Sequence, residues 1–161
     1  MVLTAMVFSL VLVESVSAQD NATQNLTLAV NAVYKIATSG NPGALSITTG
    51  TAGTDALTSV SDNSTTYSIT QNFANTVKIT ANLDAALASG YSLSINLAST
   101  KGTSAGAVDI SNATSGSALN VVTAIHEGAD AGQAIGYTFS ALASAGTLSS
   151  TSKTVTLTLT N

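Results

Sequence analysis

The sequence contains no cysteine, no tryptophan and no arginine, one proline and one histidine, and its only fixed cations are four lysines. Without thiols there is no disulfide framework, no thiolate metal site and no cysteine nucleophile. Four cations against eight acids, a formal net charge of −4, cannot neutralise a phosphate backbone, which argues against nucleic acid as a partner. Seven aromatic residues are too few for a base- or sugar-stacking platform. No apolar run reaches the roughly 18 residues that a membrane-spanning helix needs. Charged residues make up only 7% of the chain, against roughly 25% in an average domain.

Small hydroxyls take the place of charge. Thr and Ser together occupy 47 of 161 positions, and hydrophobic residues account for 45%. That is enough apolar matter for a real core in a chain the size of one domain. A surface wetted by hydroxyls rather than charges has little repulsion to hold copies apart, so self-association is the natural expectation.

Residues 1–18 read as a signal peptide. An apolar stretch from Val2 to Val13 is followed by Glu14-Ser15-Val16-Ser17-Ala18, whose small residues suit cleavage after Ala18, although no Lys or Arg precedes the apolar run. If the segment were retained, the rival reading is a type IV pilin-like subunit with a buried filament-core helix.

From residue 25 onward apolar residues recur with period two, the spacing that lines one face of a strand. The clearest rows are Val77, Ile79, Ala81, Leu83; Tyr91, Leu93, Ile95, Leu97; Ile135, Tyr137, Phe139, Ala141; and Val155, Leu157, Leu159. Shorter candidates are 26–30, 45–47, 67–69, 107–110 and 119–122. Turn-forming clusters separate them, among them Ser39-Gly40-Asn41-Pro42-Gly43, Asp62-Asn63-Ser64 and Lys101-Gly102-Thr103-Ser104. One helical turn is predicted at Asp84–Ala88, starting on an Asp cap. Nine or ten short strands with turns at this spacing predict an all-β antiparallel sandwich. The expected organisation is a signal peptide at 1–18, an N-terminal strand or donor segment at 19–36, and the sandwich at 37–161.

Little in the chain points to catalysis. His126 stands in Ile125-His126-Glu127-Gly128-Ala129-Asp130, but one His with neighbouring carboxylates lacks the ligand count and spacing of a zinc site, and a solvated turn explains it. No Gly-x-Ser-x-Gly elbow accompanies the many serines. Asp55, Asp62 and Asp130 lie near glycines without an EF-hand pattern, so turn capping accounts for them. The expectation is no enzyme, no metal and no cofactor. Four Asn-x-Ser/Thr sequons, at Asn21, Asn25, Asn63 and Asn112, are possible glycosylation sites.

The informative segment is Asn25-Leu26-Thr27-Leu28-Ala29-Val30-Asn31-Ala32, in which Leu26, Leu28, Val30 and Ala32 share one strand face. A strand near a chain terminus is easily lent to a neighbour, completing its core through main-chain hydrogen bonds and alternate side chains. Because donor and acceptor are different surfaces of one chain, such a contact does not close and generates a filament. At the other end, Val155, Leu157 and Leu159 lie on a nearly uncharged strand that would expose a sticky edge if left alone. These three are the expected groove-edge residues. Whether the two strands meet within one molecule or between copies is open at this point.

An Asn/Ala/Thr-rich opening strand behind a signal peptide, Thr66-Tyr67-Ser68-Ile69-Thr70-Gln71-Asn72 and Val77-Lys78-Ile79-Thr80-Ala81-Asn82-Leu83 in the centre, and Thr154-Val155-Thr156-Leu157-Thr158-Leu159-Thr160 at the close together resemble secreted pilin-like β-sandwich proteins of the spore-coat-U and chaperone-usher groups. The pilin cysteine pair is absent. The resemblance implies an immunoglobulin-like fold, export through the periplasm, assembly on the cell surface with the help of a chaperone and an outer-membrane usher, and no active site. The leading expectation is therefore a structural subunit of an extracellular filament, with other copies of itself as partner. The alternative is a monomeric surface-displayed adhesin or binding module.

Overall fold

The computed structural model describes residues 20–161, so the expected signal peptide at 1–18 lies outside the described residues. Nine strands follow in chain order: β1 (Tyr34–Thr38), β2 (Val60–Gln71), β3 (Val77–Leu83), β4 (Tyr91–Leu97), β5 (Thr103–Ser104), β6 (Val108–Asp109), β7 (Leu119–Ile125), β8 (Gly128–Ala141) and β9 (Val155–Thr160). They form two antiparallel sheets, one of five strands in the order β1-β2-β8-β4-β6 and one of four in the order β5-β7-β3-β9. The all-β sandwich that the periodicity predicts is what the chain adopts.

The period-two rows supply the core. Ile79, Ala81 and Leu83 of β3 meet Ile95 and Leu97 of β4, Ile135 of β8 and Val121, Val122 and Ile125 of β7 in one cluster, all at or near zero exposure. Most of their polar alternates face outward, as expected where each sheet has one packed and one solvated face, while Asn82 of β3 is buried and donates to Leu83 O at 3.1 Å.

Local chemistry departs from the sequence reading at four places. The predicted strand at 26–30 does not form, and residues 20–33 carry neither strand nor helix. Leu45–Ile47 is likewise irregular. The helical turn predicted at Asp84–Ala88 is absent. Asp84 Oδ1 accepts from Ala85 N at 3.0 Å and from Thr154 N at 3.1 Å, so its carboxylate ties two loops together instead of starting a helix. The single 3₁₀ turn among the described residues is Ala143–Ala145, and Asp55 fixes it by accepting from the Ser144 N–H and hydroxyl at 2.8 and 2.7 Å. Finally, Asp62-Asn63-Ser64 is no reversal but a bulge within β2, where the register against β8 shifts between Asp62 and Thr65. Asp62 still bonds its own backbone locally, at Ser64 N (3.0 Å), but the ladder to β8 resumes beyond it.

Asn31–Asn161 form one compact unit, and residues 20–30 fall outside it. The expected donor segment, 19–36, therefore divides. Tyr34, Lys35 and Ile36 belong to β1 and pair with Gln71, Thr70 and Ile69 of β2.

Candidate functional site: an open sandwich edge and an exposed apolar segment

Two strands flank one side of the sandwich, and among the described residues neither is hydrogen-bonded on its outer edge. β9 pairs only with β3, and β1 only with β2, while the two run near each other across the sheets. The sequence-predicted edge residues Val155, Leu157 and Leu159 stand opposite Leu83, Ala81 and Ile79. Those three ladder partners are fully buried, yet the β9 residues are only half-buried, although they pack against the same core. β1 repeats the pattern: Tyr34 and Ile36 are half-buried opposite the buried Gln71 and Ile69. At these two edges, the inward-facing side chains stay half-open on the flank that carries no strand, although their ladder partners are sealed. On the opposite side the edge strands β5 and β6 are two residues each, a length that presents almost no ladder to a newcomer.

The predicted donor residues have the complementary defect. Leu26, Leu28 and Val30 are 80%, 82% and 88% exposed. Three large apolar side chains at period two in water are unusual, and the other large hydrophobics exposed among the described residues are single residues at 38–47%. Ala32, the fourth residue of that row, is also exposed, but it lies between two residues tied to the sandwich.

The polar candidates do not converge. His126 and Glu127 are exposed in the link from β7 to β8, with the His126 N–H donating to Lys101 O at 3.1 Å. Asp130 is buried and faces elsewhere. Its carboxylate accepts from the Thr100 hydroxyl (2.8 Å), Thr100 N (2.8 Å), Ser99 Oγ (3.0 Å) and Lys101 N (3.2 Å). Burial opposes the charge on Asp130, but these donors together outweigh it and hold the carboxyl below its ordinary value. The same loop brings Gly102 against β7, where a Cβ would stand 2.6 Å from Ile125 and 2.7 Å from Thr123 O. Beside it, the buried Tyr67 donates its hydroxyl to Ala98 O at 2.5 Å. Burial raises the Tyr67 phenol above its usual value. This cluster anchors a loop.

Asp109 accepts from Ser111 and Ser92, and the Ser111 bonds hold its carboxyl below the ordinary value. The depression beside it, about 280 Å³, is lined by Asn112, Ser117 and Leu119 and brings in no second titratable group. Among the described residues no three His, Asp or Glu side chains gather as a metal would require. The sequon residues Asn21, Asn25, Asn63 and Asn112 are all exposed, and the Asn63 amide rests against Gly136, where a Cβ would lie 2.7 Å from Oδ1.

One arrangement has no forerunner in the sequence reading. At the end of β2, Asn72 reaches back to the segment preceding β1: its Oδ1 accepts from Val33 N at 2.6 Å and its Nδ2 donates to Asn31 O at 2.9 Å. Its neighbours support it. The buried Gln71 donates to Ile125 O at 3.3 Å and accepts from Phe73 N at 2.7 Å, and the Phe73 ring lies 5.6 Å from that of Tyr34. The only forewarning was Asn72 directly after a strand pattern, which reads equally well as a turn.

No family model, curated protein or solved structure matches this chain.

Proposed function

We propose that this chain is the structural subunit of an extracellular filament, in which residues 25–30 of one copy add as a strand to the open β9 edge of the next. The observation that carries the reading is the exposure of Leu26, Leu28 and Val30, at 80–88%, in the same chain that leaves Val155, Leu157 and Leu159 half-covered. Each set lacks what the other supplies: three inward apolar residues at period two, with uncharged flanks. Burying the three donor side chains is worth roughly 1.5–3 kcal/mol each before ordering costs, and ladder hydrogen bonds add to that.

Strand addition also explains why the opposite side of the sandwich ends in two-residue strands. One donor per molecule, added to β9 of the next, gives an unbranched chain of copies, and the two-residue strands β5 and β6 offer a second donor almost no ladder. Export and a cell-surface location, by way of the segment at 1–18, belong to the same reading, as do a chaperone and an outer-membrane usher that would cover the donor-accepting edge before assembly.

The test is electron microscopy and size-exclusion chromatography of the chain purified without residues 1–18. Threads and a ladder of oligomers are expected; a compact monomer at every concentration rules the filament out.

A further inference from the structure

We infer that Asn72 is the positioning residue that fixes where the donor segment leaves its own sandwich, and that it makes the joint between successive copies stiff. This inference rests on the filament reading.

The ladder between β1 and β2 pairs Tyr34 with Gln71, so the next rung sets Val33 opposite Asn72. Asn72 N donates to Val33 O at 3.3 Å, as that rung requires. The return bond is different: Val33 N donates to the side-chain Oδ1 of Asn72 at 2.6 Å. The same amide then turns its Nδ2 to Asn31 O at 2.9 Å. A carboxamide offers one acceptor face and one donor face, as a peptide group does, so Asn72 acts as a last rung made from a side chain. Beyond it there is no further rung, since the paired part of β2 ends at Gln71. The chain is thus fastened as far back as Asn31.

Val30, the last large donor residue, is the immediate neighbour of Asn31 in sequence. A donor segment held by one copy up to Val30 and fastened to its own sandwich from Asn31 leaves no slack residues between the two. Releasing the clamp would add residues 31–33 as a flexible link, and the joint would bend.

The experiment compares full-length wild type with Asn72→Ala and Asn72→Asp. Alanine removes both side-chain bonds; aspartate keeps the acceptor for Val33 N but cannot donate to Asn31 O. Hydrogen exchange of the monomer should show the Val33 amide exchanging about five- to tenfold faster in Asn72→Ala, on the order of one lost hydrogen bond, with residues 35–38 unchanged. Filaments of Asn72→Ala should be visibly more flexible in electron micrographs, their persistence length at least halved, with Asn72→Asp between the two. Straight Asn72→Ala filaments, an unchanged Val33 amide, or loss of protection spreading through 35–38 would each overturn the inference while leaving the filament itself in place. A wild type that forms no filament removes the filament reading and this inference together.

Discussion

Leu159 on β9 faces Ile79 on β3 across a regular antiparallel rung, yet Ile79 is sealed from water and Leu159 is only half-covered. Leu157 opposite Ala81 and Val155 opposite Leu83 repeat the imbalance. Among the described residues no strand pairs with the outer edge of β9, and the row Leu26, Leu28 and Val30 is left in water.

Leu28→Asp and Val30→Asp should abolish assembly while leaving the sandwich intact. Both positions are more than 80% exposed, so a carboxylate there should change unfolding free energy by no more than about 0.5 kcal/mol. Denaturant unfolding and sedimentation of the same samples check the two halves of this statement. Assembly that survives both substitutions contradicts the donor role.

Ile79→Ala should behave in the opposite way. The side chain is fully buried where both sheets meet, and truncating it should cost about 2–5 kcal/mol of stability, read from the urea midpoint. A loss much below that range would mean that the core is not centred on β3.

Acid should weaken the domain through its carboxylates. Asp130 has its pKa lowered in the folded state, so its contribution is present above the ordinary carboxylate value, near pH 4, and is lost as the pH falls through the lower folded value. Asp109 and Asp62, held down mainly by bonds from Ser111 and Ser64, move in the same direction. Asp130→Ala should remove most of the Asp130 part and cost upward of about 3 kcal/mol at neutral pH, since its carboxylate accepts four hydrogen bonds and bonds to a charged group are worth roughly 1.5–3 kcal/mol each. Thermal unfolding of wild type and Asp130→Ala between pH 3 and 7 measures it, and parallel curves for the two proteins would contradict the assignment.

What was legible in the sequence was what side-chain alternation alone determines. Val77–Leu83 and Tyr91–Leu97 coincide with β3 and β4 to the residue, because their apolar rows are buried and a slip by one residue would turn each row to water. Leu26–Val30 has the same alternation and forms no strand in this chain. Period two states that a segment is fit for a sheet and says nothing about which molecule supplies the sheet. The bulge at Asp62–Ser64 was misread because an Asp that bonds its own backbone signals a turn whether or not the strand resumes. The clamp at Asn72 was invisible for a different reason: it joins residues 39 to 41 positions apart, and only the register of β1 on β2 brings them together.

The most direct measurement of strand exchange uses the absence of native cysteine. Every ladder among the described residues is antiparallel, and a strand added in that direction, in the register that puts Leu26, Leu28 and Val30 beside Leu159, Leu157 and Val155, would set the outward residues Ala29 and Thr156 opposite each other. Directly opposed residues place their Cβ atoms about 4.5–5.5 Å apart, close enough for mild oxidation to link cysteines there. The double variant Ala29→Cys/Thr156→Cys should run on a non-reducing denaturing gel as a ladder of linked copies that collapses to one band on reduction. A bridge confined within single chains, or no bridge at all under conditions where the chains are assembled, would contradict strand exchange along β9.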